Sequence, residues 1–288
     1  MGRSGLNFRS FSSQSAPQGD RLSEVSEVLN APPISLDFDR GEIPIPPDLD
    51  NALGRAMLKI MGFESKRSKL LHGAQRLYEA VTEQVDSGVL QRAFQTGKVF
   101  WSTYVLLSLY VWLVIHRLRD VRHADVKFFR QRFYNQFQQD VEFRVYAAGV
   151  QVGVTKWLKK LEEHFYETAF DFDKVLAPGA SETLSDVILR KYYGGEETHR
   201  ADADLLARFA LREMASLSAT DEEAVLRGNV RFSSTELAAA LQRSGVTSAG
   251  ESTAGAAAAG AATAGPGVGG AAPAATPAAE GGAGQGSG

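Results

Sequence analysis

The chain has 288 residues, no cysteine and a formal net charge of −3 at pH 7. Without cysteine there is no disulfide framework, thiolate zinc site, iron–sulfur cluster or thiol nucleophile. The small total hides segregation: residues 20–50 hold eight acids against two bases, residues 51–179 nineteen bases against thirteen acids, and residues 180–243 eleven acids against eight bases. An anionic partner is therefore expected to meet the middle of the chain.

Ahead of the first acid, Asp20, lie Arg3, Arg9, five serines, Leu6, Phe8 and Phe11. This is the composition of an organelle transit peptide, mitochondrial in preference to chloroplast. Pro32, Pro33, Pro44, Pro46 and Pro47 make residues 20–47 read as an extended linker. Residues 1–47 are thus assigned as transit peptide and disordered Pro-rich linker, and residues 48–243 as one helical domain. Asp48 is placed to cap a first helix whose apolar face is Leu49, Leu53, Met57 and Ile60. Leu70, Ala74, Leu77, Val81 and Val85 form the stripe of a second helix, and Gly88 and Gly97 bracket a short turn after it.

Residues 99–115 carry no charge and include Phe100, Trp101, Tyr104, Tyr110 and Trp112, so this helix is apolar all round. At 1.5 Å per residue it reaches about 26 Å, short of the roughly 30 Å hydrocarbon core of a bilayer. It is predicted to be the surrounded central helix of a bundle, the alternative being a membrane-anchored scaffold spanning with residues 99–115. Phe129, Phe133, Phe137, Val141 and Val145 recur every fourth position in a long helix over 124–148. After Gly149 and Gly153 another helix carries Trp157, Leu158, Leu161, Phe165 and Ala169 on one side and Lys156, Lys159 and Lys160 towards the other, ending before Pro178-Gly179. Shorter helices are expected near 181–192, 200–217, 220–227 and 233–243, the last two with capping boxes at Thr220/Glu223 and Ser233/Glu236. Residues 244–288 are almost entirely Ala, Gly, Pro, Ser and Thr and read as a disordered tail. With no long alternating run, the fold class is all-α: a single irregular helical bundle with a central apolar helix, flanked by disordered terminal segments.

Signatures of catalysis are missing: there is no P-loop, nucleotide-binding glycine fingerprint, nucleophile elbow or paired metalloprotease histidines. His116, Asp120 and His123 would share one face of a continuous helix, where they could hold a divalent metal; a polar helix end is the plainer reading. Glu196 with His199 is half of the Glu-x-x-His pair used twice in di-iron bundles, without a second copy. His72 and His164 read as structural. No catalytic residue, cofactor or metal is assigned, and a metal-dependent helical-bundle enzyme stands as the alternative. The basic run Arg117, Arg119, Arg122, Lys127, Arg130 and Arg132, opposed by Asp120 and Asp125, is a candidate surface for ribosomal RNA phosphates or anionic lipid headgroups, against a plain solvated face.

The order Phe94, Phe100-Trp101, Leu109-Tyr110-Val111-Trp112, Arg117, Asp140, Gly149-Val150, Lys156, Leu161, Phe165-Tyr166, Asp171, Leu184, Leu189, Gly228 and Phe232 resembles the ubiquinol–cytochrome c reductase (complex III) assembly chaperones over about residues 80–232. One position departs: Tyr110 stands where that family commonly has His. The resemblance implies a non-catalytic protein on the matrix side of the mitochondrial inner membrane, peripherally associated with it. Its implied partners are a small helical assembly factor, nascent cytochrome b and the mitochondrial ribosome. Trp101, Tyr104, Trp112, Phe133, Trp157, Phe165 and Tyr166 are the candidate partner-binding side chains, divided between the core and a client surface.

Overall fold

A computed structural model describes residues 17–41, 51, 53, 65–97 and 99–245. The helix expected from Asp48 lies almost wholly outside the described residues, as do residues 1–16 of the expected transit peptide and 246–288 of the expected tail. Within them the fold is all-α. The helices are α1 Pro17–Leu29, α2 Lys66–Asp86, α3 Val89–Ala93, α4 Phe100–Asp120, α5 Val126–Ala147, α6 Val154–Val175, α7 Leu184–Tyr192, α8 Arg200–Ala219, α9 Glu222–Arg227 and α10 Ser234–Arg243, with a 3₁₀ turn at Glu197–His199.

Ser65 caps α2 by accepting from the Ser68 amide at 3.2 Å, and Leu70, Ala74, Leu77, Val81 and Val85 are buried as the stripe requires. Helix α4 has no polar face to turn outward, and α2, α5 and α8 pack around it. Tyr104 through Val114 are buried without interruption. Over Tyr104–Val114 the helix is enclosed by protein and has no surface left for lipid, which removes the spanning scaffold. No helix among the described residues is long and apolar enough to cross a membrane. Five residues join α4 to α5, so the two run antiparallel, and Tyr104 meets Phe137 across them with ring centroids 6.2 Å apart. α6 doubles back along α5, with Phe137 against Phe165 and Tyr134 against Tyr166.

The linker assignment fails for residues 17–41. Leu22, Val25 and Leu29 recur at helical spacing, and α1 lays them against α8 and α10. The segment after it is extended, buries Leu36, and makes one isolated antiparallel bridge between Asp37 and Val230. Its Leu36 amide donates to Thr220 Oγ1 at 2.9 Å. Proline composition suggested a linker because extended backbone with few donors is common to linkers and to straps that lie on a folded surface.

The capping boxes differ as well. Asp221, not Thr220, caps α9, accepting from the Glu223 and Ala224 amides. Ser233 leaves α10 without a side-chain cap and turns its hydroxyl to Glu213, while Glu236 pairs with Arg212. The capping box in this region is Thr183 with Asp186 at the start of α7. Tertiary partners outbid the local ones because a buried carboxylate needs a donor more than a solvated helix end does.

Candidate client and basic surfaces

Four of the seven candidate aromatics belong to the core. Trp112 is buried against Phe172, and its indole donates to Asp173 Oδ1 at 3.0 Å. The Tyr104 hydroxyl donates to the Leu161 carbonyl, Phe133 sits edge-on to Tyr78 at 5.9 Å, and Phe165 packs on Phe137 at 5.4 Å. These side chains fasten α2, α4, α5 and α6 to one another, so they are corrected from client contacts to scaffold.

The other three reach solvent in different places. Trp101 is 36% exposed and stands edge-on to His164 at 4.7 Å. Trp157 is in the first turns of α6. Tyr166 is 54% exposed and leans on Tyr134 at 6.1 Å across the α5–α6 seam. One turn further along α6, Phe170 is 69% exposed, and one turn back along α5 from Tyr134 stands Arg130. The seam thus presents Tyr134, Tyr166 and Phe170 beside a cation. Phe170 was not singled out from the sequence. Its signal was its absence from the Leu161–Phe165–Phe172 stripe, an aromatic ring on the wrong face of an amphipathic helix.

The basic run does not form one surface. Arg117 is buried and donates to the Leu217 and Thr220 carbonyls at 2.9 and 3.0 Å, satisfying the C-terminal end of α8. Arg119 pairs with Asp173 at 2.6 Å. Burial would raise the Asp173 pKa, but donation from Arg119 and Trp112 outweighs it and holds the carboxyl below its usual range. Arg122, Lys127 and Arg132 are exposed and Arg130 is half-buried. They are joined by residues from elsewhere. Helices α2 and α5 run parallel, as shown by Tyr78 donating to Asp140 at 2.7 Å and Arg144 pairing with Asp86 at 2.8 Å. Arg67 and Arg132 accordingly lie over the same Phe128 ring, at 5.6 and 5.0 Å. Exposed Lys66, Arg67 and Lys69 extend the patch, and two helix N-termini add partial positive charge.

The metal constellation comes apart. α4 ends at Asp120 and Val121 is extended, so His123 is not on the helix face of His116 and instead accepts from the Asp125 amide at 3.1 Å. His116 Nδ1 lies 3.7 Å from Asp173. His199 ends the 3₁₀ turn, stacks on Tyr193 and lies 3.2 Å from Asp202. Among the described residues no group of three or more His, Asp or Glu is placed to hold a metal ion. Burial depresses the His164 pKa to about 4, keeping the ring neutral between Trp101 and Tyr104.

Residues 92–232, from the end of α3 to just beyond α9, match the model of the ubiquinol-cytochrome C chaperone family. Over this span, just under half of its residues, the chain is similar to that family. No curated protein matches the chain. Among solved structures, the Cbp3 homolog from Brucella abortus is similar in fold, with a TM-score of 0.52 and 21% identity over 61% of this chain and 96% of that one. The family span holds the central helix, the α5–α6 hairpin and the seam. Helices α1, α2 and α10 lie outside it yet complete the same core. Tyr110, the departure from the family's usual His, is fully buried and edge-on to Phe232 at 4.8 Å, a packing role that needs no imidazole.

Proposed function

We propose that this chain is a non-catalytic assembly chaperone of the ubiquinol–cytochrome c reductase, which holds newly made cytochrome b through the exposed aromatic seam of α5 and α6. The observation that carries the reading is the family match over the helices that build this seam, together with aromatic rings that the bundle leaves uncovered there. An apolar client helix laid along Tyr134, Tyr166 and Phe170 gains roughly 25 cal/mol per Å² of apolar surface removed from water. Arg130 beside the seam suits an acidic or carbonyl-rich helix end.

In this reading the protein works in mitochondria on the matrix face of the inner membrane, with a small helical partner, and its basic end meets the ribosome that makes the client. The test is a photo-crosslinking side chain at Tyr166 or Phe170 during translation in isolated mitochondria. Capture of labelled cytochrome b at these positions, and not at Leu211 on α8, is the expected result; equal capture at all three, or none, rejects the seam. For the basic end, Arg122→Glu, Lys127→Glu and Arg132→Glu together should lower ribosome co-sedimentation roughly tenfold or more and flatten its salt dependence. Unchanged sedimentation at low salt removes the ribosome contact.

A further inference from the structure

Half a dozen large apolar side chains face solvent at one end of the bundle. Val99 and Trp101 start α4, Phe143 and Tyr146 are in the last turns of α5, Val152 lies in the α5–α6 connection, and Trp157 is in the first turns of α6. Phe143 is 70% exposed and Val152 89%. The antiparallel course of α4 and α5 brings their N- and C-terminal ends together, and the hairpin projects beyond. Trp157 lies about 10 Å along α6 from His164, where Trp101 leans, at 1.5 Å per residue.

The sequence of this tip is graded. Residues 145–155 carry no charge, and residues 143–161 hold four cations, Arg144, Lys156, Lys159 and Lys160, and no acid. Arg144 is committed to Asp86 and Asp140, and Lys159 to Glu163, whereas Lys156 and Lys160 form no ion pair among the described residues. A protruding apolar tip, a Tyr and a Trp on its shoulders, and uncommitted lysines beside them repeat the order of acyl chain, interface and anionic headgroup met on entering a membrane.

We propose that the α5–α6 tip docks the protein onto an anionic phospholipid bilayer, with Val152, Tyr146, Phe143 and Trp157 entering the headgroup–acyl boundary and Lys156 and Lys160 resting on the headgroups. The inference deepens the inner-membrane placement above by naming the element and the lipid class. It also orients the molecule, because the basic cluster lies at the opposite end of α5, about 30 Å away for a helix of this length, and therefore faces the aqueous side.

The test is co-sedimentation of the full chain with phosphatidylcholine vesicles with and without cardiolipin. Binding is expected with cardiolipin, and Val152→Glu with Tyr146→Glu should weaken it roughly tenfold or more while the far-ultraviolet circular dichroism is unchanged. In a Trp101→Phe background, vesicles with brominated acyl chains should quench Trp157 and leave buried Trp112 bright. Three results overturn the proposal: binding indifferent to the double variant, no quenching of Trp157, or no vesicle binding while the double variant abolishes either a dimer of this chain or the crosslink to cytochrome b. Vesicle binding and capture at Tyr166 or Phe170 are separate readouts, so the membrane tip and the client seam fail independently.

Discussion

Arg21 shows how much a single side chain decides in this fold. Its guanidinium is almost fully buried, bonded to Asp202 at 2.5 Å and to the Ala93 carbonyl, and it ties α1 to α8 and α3. Removing one member of a buried pair strands the other charge, so Arg21→Ala should cost about 3–5 kcal/mol in chemical denaturation. Adding Asp202→Asn should return part of that loss, and a double variant worse than the single one would reject the pairing argument. Glu213 is the second such residue. Burial lifts its pKa to about 7 against an ordinary 4.5, despite donation from Ser233. Between those two values the unfolded chain releases this proton and the folded chain keeps it, so the contribution lowers stability as pH rises through the window and levels off above it. Glu213→Gln should flatten the pH dependence of the urea midpoint from pH 5 to 8; a midpoint that still falls equally assigns the effect elsewhere. Asp186, held near 2 by the Thr183 cap and Arg200, acts below that window.

Among elements, the strap of residues 17–41 and the α2–α9 contact carry the clearest consequences. The strap contributes Val25, Leu29 and Leu36 to the core, worth roughly 2 kcal/mol each by burial. Deleting residues 17–41 should lower the denaturation midpoint and expose α8 and α10 to limited proteolysis, and an unchanged digestion pattern would speak against a structural strap. Transit-peptide processing that removed α1 would take from Asp202 its buried Arg21 partner and leave it His199. α2 and α9 touch backbone to backbone: a Cβ on Gly73 would lie 2.0 Å from the Leu226 carbonyl oxygen, and Gly228, at φ +70°, faces Gly73 in turn. Gly73→Ala should therefore cost about 1–3 kcal/mol by forcing the helices apart, whereas Gly19→Ala, with open space around it and no left-handed φ, should cost less. Long amphipathic elements were legible in the sequence, since the α5 stripe is buried at all five positions named from its spacing. α1 was not, because thirteen residues with three inward apolar side chains resemble many short polar segments until α8 and α10 are in place.

At the scale of the whole molecule, the parallel course of α2 and α5 and the antiparallel course of α4 separate a basic end from an apolar one. Linear order mixes them: Arg117 and Arg119 are adjacent to Arg122 in the chain, yet the first is sealed inside, the second is paired, and the third joins Lys66 and Arg67 from another helix. Periodicity and composition determined by themselves that the protein is helical, that residues 99–115 are its centre and that each long helix buries a given stripe, because these depend on local geometry and on the cost of leaving apolar surface in water. The similarity to the chaperone family was legible too, in the order of aromatics along the chain. Only the tertiary structure decided which aromatics fasten helices and which meet solvent, which arginines carry free charge, and where the two ends point. Those properties belong to neighbours brought together from distant positions, and burial is a relation between elements that no single segment contains.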